Sequence, residues 1–254
     1  MSGSHGHALF VHADTPLHRV APQVKIVSAL LMLFAMVATP REAFWAFAVY
    51  AVVLISLVAL SRIPIRFLLS RMIVLVPFAV LAVLFPLVGT PPTVEVLGLQ
   101  LSEAGLWDMW NLLVKAGLGL VTAIVLGATT AVADLLRGMS ALRVPGLVTS
   151  ILGFMVRYVD VIISDLSRMR LALASRGHQT KGLRDWAPYG RASGTLFIRT
   201  YERGERIYLA MESRGYSGDM PESARVHAST GEWSVGIGLA VLFWLTAAVA
   251  KAWT

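Results

Sequence analysis

Long uncharged runs alternate with short polar breaks along most of this chain. Residues 26–40 carry no charge, and after Glu42 a second uncharged run covers residues 43–60. At the rise of an α-helix that second run would be roughly 27 Å long, close to the thickness of a bilayer's hydrocarbon core. Further runs follow at residues 72–92, 116–133 and 233–250. Each is predicted to be a membrane-crossing helix. The first has the look of a signal peptide, but its long polar lead and the later runs point to an uncleaved first span. Pro77 and Pro86 lie inside the third run, where each removes a backbone donor and should kink the helix. Gly117, Gly119 and Gly127 in the fourth run suit close helix packing. Lys115, just before that run, can reach back to the interface, and Trp233 and Trp253 flank the last one as interfacial anchors.

Between the fourth and last runs the pattern changes. From Pro145 to Arg176 the helical period is unbroken, with Leu152, Met155, Val159, Ile162, Ile163, Leu166, Met169 and Leu173 as one expected buried stripe. Arg157 with Asp160, and Asp165 with Arg168, are spaced to pair on the helix surface. The uncharged start of this helix, residues 144–156, is too short to span and is expected to dip into the membrane. A second helix is predicted over residues 192–214, where Leu196, Arg199, Arg203, Ile207 and Met211 recur and Glu202 faces Arg206. Residues 134–142 read as a short amphipathic helix with Leu135, Leu136, Met139 and Leu142 on its apolar side.

The two long helices close on one phrase written twice, Leu171-Ala-Leu-Ala-Ser-Arg-Gly177 and Leu209-Ala-Met-Glu-Ser-Arg-Gly215. Gly177 and Gly215 sit where helix C-caps belong, and a cation in the last turn favours the helix dipole by about 0.3–1 kcal/mol. Capping would accept other residues as readily, so the repetition asks for more. An arginine at a helix tip presents a planar five-donor fork to carboxylates or carbonyls of another protein. The residues alone leave capping and docking both open.

Composition excludes a soluble protein. Apolar residues make up 56% and charged residues 15%, below the roughly 25% of an average globular chain, and mean hydropathy is +0.69. Cysteine is absent, which excludes disulfides and thiolate metal sites. The net charge of +7 would suit a nucleic-acid binder, but its Lys and Arg flank the apolar runs, as topology signals do. No nucleic-acid partner is expected; the partner that composition implies is the lipid bilayer. The fold class expected is an all-α polytopic membrane protein with about five transmembrane helices and a cytoplasmic domain of two long helices and a short amphipathic one. Residues 1–23 are expected to be a loose cytoplasmic tail holding His5, His7, His12 and His18, residues 24–133 spans one to four, residues 134–232 the cytoplasmic helices, and residues 233–254 the last span. The loop at 93–110, with Glu95, Glu103 and Asp108 and no Lys or Arg, is expected outside.

No phosphate loop, zinc-protease motif or nucleophile elbow occurs, and no clean span carries paired acids or histidines. The parts of a catalyst or channel are missing. With the doubled motif, this resembles the transmembrane T component of energy-coupling factor (ECF) transporters, whose coupling helices end in Ala-Arg-Gly motifs. Here they read Ser175-Arg176-Gly177 and Ser213-Arg214-Gly215, with Ser for Ala in both, and Leu209 to Tyr216 is especially similar to the second. Asp14-Thr-Pro-Leu-His-Arg-Val-Ala-Pro-Gln-Val-Lys25 resembles the opening of the cobalt branch, the CbiQ type.

The resemblance implies a non-catalytic subunit of the cell inner membrane, without a cofactor or metal site of its own. Its partners would be two ATP-binding-cassette ATPases, a metal-binding S component and a small auxiliary membrane subunit, with ATP and cobalt held by those partners. Arg176 and Arg214 would insert into grooves on the ATPases, each flanked by the Ser and Gly of its motif. Two other readings remain to be weighed: the permease of an ordinary ABC importer, which usually offers one coupling helix per chain, and a membrane-embedded enzyme using Arg157, Asp160 and Asp165. Helix-surface ion pairs explain those three residues more simply.

Overall fold

The structure is a computed structural model that describes residues 11, 13–88, 93–96, 99–177, 187–216 and 228–253. His5, His7 and His12 lie outside the described residues. The chain forms two compact units, one of residues 9–138 with 226–254 and the other within residues 139–225.

The first unit is built from the uncharged runs. Its elements are α1 (Pro16–Arg19), α2 (Pro22–Ala38), α3 (Phe44–Leu60), α4 (Ile65–Met72), α5 (Val76–Val88), β1 (Thr93–Val96), β2 (Leu99–Ser102), α6 (Glu103–Thr129), α7 (Val132–Ala141) and α10 (Thr230–Trp253). A 3-10 turn, Ile73–Leu75, joins α4 to α5. It sits just before Pro77, which cannot donate to the carbonyl four residues back, so the tighter turn is the expected kink. Pro86 lies within α5. The third span therefore begins earlier than the uncharged run, at Ile65, because Arg66 and Arg71 belong to the same continuous path Ile65–Leu87.

The expected outer loop is corrected. Thr93 pairs with Ser102 and Val96 with Leu99 in an antiparallel hairpin, the one sheet among the described residues. Glu103, Asp108 and Trp110 are already helical, because Ser102 caps α6 by accepting a hydrogen bond from the Gly105 N–H at 3.3 Å. Asp108 then pairs with Arg41 at 2.9 Å, and Phe44 packs on Trp107 and Trp110.

The described part of the expected loose tail is packed. His18 hydrogen-bonds through one ring nitrogen to Thr15 Oγ1 at 2.7 Å and through the other to the Val11 carbonyl at 3.0 Å. Val11 N–H donates to the Ala128 carbonyl at the end of α6, and Lys25 Nζ donates to the carbonyls of His18 and Thr129. Glu232 completes this knot. One carboxylate oxygen accepts from Ser229 N–H in a capping box, and the other from Ala21 N–H at 2.9 Å. Gly138 of α7 is buried, and a Cβ there would lie a tight 3.0 Å from Pro22, Gln23 and Ile26. The amphipathic helix expected in the cytoplasmic domain is thus seated largely on the apolar unit.

The core of this unit lies where α2, α3 and α10 meet, around Met32, Met36, Phe47, Leu54 and Phe243. Tyr50 is fully buried at its centre. Its hydroxyl donates to the Phe243 carbonyl at 3.1 Å and bonds to Thr39 Oγ1 at 2.9 Å, and its ring stacks on Phe243. Lys115 donates to the Val37 carbonyl at 2.9 Å, near the end of α2. Outside the core the apolar surface is bare: Val80, Val83, Leu84 and Leu87 of α5 are all exposed. In water that surface would be costly; it suits lipid.

In the second unit are α8 (Gly146–Ser175) and α9 (Ala187–Glu212). Pro145 caps α8 rather than opening it, and α9 starts earlier than residue 192. Among the described residues four helical segments are long and apolar enough to cross a membrane: Ile65–Leu87, Glu103–Thr129, Gly146–Ser175 and Thr230–Trp253. α8 meets that standard because residues 144–156 continue into one unbroken 30-residue helix. α2 and α3 are shorter, at 17 residues each.

Of the three glycines expected to permit close packing only Gly119 has a neighbour, Leu33 Cδ2 of α2, which a Cβ would meet at 3.4 Å. A Cβ on Gly117 or Gly127 would meet nothing within 4 Å, whereas one on Gly236 of α10 would lie 2.5 Å from Val24 Cγ1 of α2. Gly236→Leu should therefore destabilise the unit by about 1–3 kcal/mol, the usual cost of overpacking. Gly117→Leu should leave stability nearly unchanged. Thermal unfolding in detergent micelles checks this; equal midpoints for the two variants would refute the packing account.

Candidate functional site: two matching helix ends

The two Ser-Arg-Gly motifs adopt the same local structure, hydrogen bond for hydrogen bond. At the end of α8, Ser175 Oγ donates to the Ala172 carbonyl at 3.0 Å, Arg176 N–H to Leu173 at 3.2 Å and Gly177 N–H to Ala174 at 3.0 Å. At the end of α9, Ser213 Oγ donates to Ala210 at 3.0 Å, Arg214 N–H to Met211 at 3.0 Å and Gly215 N–H to Glu212 at 2.9 Å. Gly177 and Gly215 are left-handed, with φ of 78° and 83°. In the second copy Tyr216 N–H closes back on the Met211 carbonyl at 3.0 Å, completing a Schellman motif.

This geometry divides the labour within each motif. Glycine turns the backbone, and serine satisfies a carbonyl that the helix end leaves open. The arginine backbone completes the cap, but its side chain is not used by it. Arg176 and Arg214 are exposed, and neither has an ion-pair partner among the described residues.

The seam between α8 and α9 departs from the expected stripes. On α9, Ala192, Leu196, Thr200, Arg203, Ile207 and Met211 are half-buried while Arg199 is exposed. On α8 the half-buried set includes Leu152, Leu166, Met169 and Leu173, as expected, with Phe154, Tyr158, Val161 and Asp165. Met155, Val159, Ile162 and Ile163 stay exposed, so one side of the expected stripe is uncovered. A cleft of about 430 Å³ opens between the helices, lined by Phe154, Tyr158, Ile207, Tyr208, Met211 and Tyr216 among others.

Asp165 takes a different partner from the one its helix spacing suggests. Its Oδ2 lies 3.1 Å from Arg203 Nη2 on α9, while Arg168 donates instead to Ser164 Oγ at 3.4 Å. No ion pair joins Arg157 to Asp160 or Glu202 to Arg206 among the described residues. Asp165 and Arg203 are 38 positions apart, the offset of the repeated motif, and that shared offset was the available signal. No group of three or more His, Asp or Glu able to hold a metal ion occurs among the described residues.

A family model described as "Cobalt transport protein", CbiQ, matches residues 13–226. The chain belongs to the CbiQ family. Members of this family are non-catalytic, multi-pass membrane components, and the matched stretch contains both helix-end motifs. The chain is 28% identical over 225 residues to the energy-coupling factor transporter transmembrane protein EcfT of Thermanaerovibrio acidaminovorans, covering 82% of each chain. The EcfT of Bacillus selenitireducens is 28% identical over 226 residues, again with 82% of each covered. The nickel permease LarQ of Lactiplantibacillus plantarum is 28% identical over 205 residues, covering 79% of this chain and 67% of that one. This chain is accordingly a T component of the ECF class.

The division of labour within the motif yields a test. Gly215→Ala forces a Cβ into a left-handed conformation, at a cost of about 1–2 kcal/mol, whereas Arg214→Ala leaves every cap hydrogen bond in place. Hydrogen exchange over residues 211–216 should accelerate about tenfold in the glycine variant and hardly at all in the arginine variant. Equal acceleration in both would mean that the arginine is itself part of the cap.

Proposed function

We propose that this chain couples ATP hydrolysis in two ATP-binding-cassette subunits to cobalt uptake through a metal-binding S component, with Arg176 and Arg214 as its docking points. The observation that carries the reading is the pair of matching helix ends whose arginines are exposed and unused by their own caps. An exposed guanidinium held on a rigid tip loses little freedom on binding and offers a bidentate fork to a carboxylate or to carbonyls. Ser175, Gly177, Ser213 and Gly215 then act by shaping the tips.

Cobalt is favoured by the description of the family model, with which the opening from Asp14 to Lys25 agrees. Nickel is the second reading, supported by a relative named as a nickel permease. Selectivity would lie in the S component. The positive-inside rule supports an orientation with the N-terminus and residues 134–232 at the cytoplasmic face of the inner membrane. The apolar start of α8, where Leu147, Ile151 and Met155 are exposed, would then sit in the bilayer's edge.

Co-purification tests the docking. The wild-type chain should bring down its ATPase subunits, and Arg176→Glu with Arg214→Glu should insert normally and lose at least about nine-tenths of them, as expected when a charge-assisted contact turns repulsive. Equal recovery from both would reduce the motifs to helix caps.

A further inference from the structure

The ion pair between α8 and α9 stands at a special place in the repeat. Asp165 precedes Arg176 by the same interval as Arg203 precedes Arg214, since both pairs carry the 38-residue offset. That interval is three helical turns, so each arginine tip lies about 16 Å beyond the ion pair along its own helix. The lining of the cleft gives the sense of the crossing: the part of α9 beyond Arg203, from Ile207 to Tyr216, shares walls with the part of α8 before Asp165, from Phe154 to Ile162. α9 therefore runs back over α8, and the two tips leave the ion pair in opposite directions. The pair is the midpoint of two equal arms.

We infer that Asp165 and Arg203 form the fulcrum of the coupling helices, positioning residues that fix the separation of the two motif arginines. The inference rests on the docking role proposed above for those arginines. Three features distinguish the pair from an incidental surface bridge. Both residues occupy the half-buried seam, where their neighbours Leu196, Thr200, Ile207, Tyr158, Val161 and Met169 are mostly apolar. Apolar surfaces can slide across one another with small changes in energy, whereas a hydrogen-bonded ion pair has one favourable register. The guanidinium's Nη1 is also buried with no hydrogen-bond partner among the described residues, so no other acceptor there competes with Asp165. It is, moreover, the one ion pair that joins α8 to α9 among the described residues. With the crossing pinned and the arms equal, displacement of one tip is passed to the other as rotation about the pair.

The absence of cysteine makes the test direct. Leu171 and Leu209 are repeat-equivalent, exposed and outside both motifs. Leu171→Cys with Leu209→Cys places one spin label on each arm of the full chain in lipid nanodiscs. The parent should give a narrow inter-label distance distribution, and Arg203→Met, which keeps the length and removes the charge, should broaden it at least twofold. Exchanging the charges, Asp165→Arg with Arg203→Asp, should restore most of the narrow width. An unchanged width in Arg203→Met overturns the fulcrum, and so does a broadened width that the exchange fails to restore, since that would assign the effect to lost packing. ATPase co-purification with the labelled parent is read separately: its loss would sink the docking role, whereas the distance measurement answers for the ion pair alone.

Discussion

Backbone N–H and C=O groups surrounded by hydrocarbon must find partners within the chain, and the apolar unit is shaped by that requirement. Helices satisfy it along their length, which is why uncharged runs of sufficient length become helices whatever their side chains. It is hardest to meet where a helix bends or ends. Just before Pro77 the chain tightens into a 3-10 turn, and at Thr129 the loose carbonyl is taken by the ammonium of Lys25. Glu232 receives the N–H groups of both Ser229 and Ala21, so one carboxylate serves the starts of two helices. The polar residues of this unit are few, and they gather at the points where the backbone would otherwise be left unpaired.

The ends of α8 and α9 answer the same requirement in the open. Serine hydroxyls and left-handed glycines close the last turns, and that is sufficient for the backbone. Arg62 and Arg143 show that a left-handed residue in this chain can be an arginine when the turn demands it, with φ of 51° and 60°. In the two Ser-Arg-Gly motifs glycine takes the left-handed position and arginine the one before it, which leaves the guanidinium on a helix tip and free of structural duty. A docking function needs such a tip: rigid backbone, exposed charge, no competing partner. If Asp165 and Arg203 act as the proposed fulcrum, the ion pair three turns back from each tip supplies the remaining element, a fixed point about which both can move.

Much of this was legible in the sequence because the bilayer allows few solutions. The uncharged runs named the helices of the apolar unit, Pro77 named its kink, and the repeated phrase named both capped ends. What was not legible depends on contacts between segments distant in the chain. Gly236 permits close packing because Val24 lies against it, and nothing in the local sequence separates it from Gly117, whose face is open. Asp165 has a plausible partner three residues on, and only the crossing of α9 supplies the one it takes. Residues from Thr15 to Gln23 read as a polar tail because their hydrogen bonds go to Val11, Lys25, Glu232 and one another, none of which has a periodic signature. The start of α6 was missed for a simpler reason: Glu103 and Asp108 made its first turns look like a loop, although an acid there favours the helix dipole.

The central claim, that the arginines of the two helix ends touch the motor subunits, is tested most directly by photo-crosslinking in the assembled transporter. A photoreactive amino acid placed in turn at positions 176 and 214, in native membranes, should yield covalent adducts between this chain and an ATP-binding subunit from both positions. Probes at the exposed control positions Val80 and Leu87 on α5 should give none. Adducts from neither motif position, or adducts to lipid alone, would contradict the account and return the doubled motif to the status of two well-made helix caps.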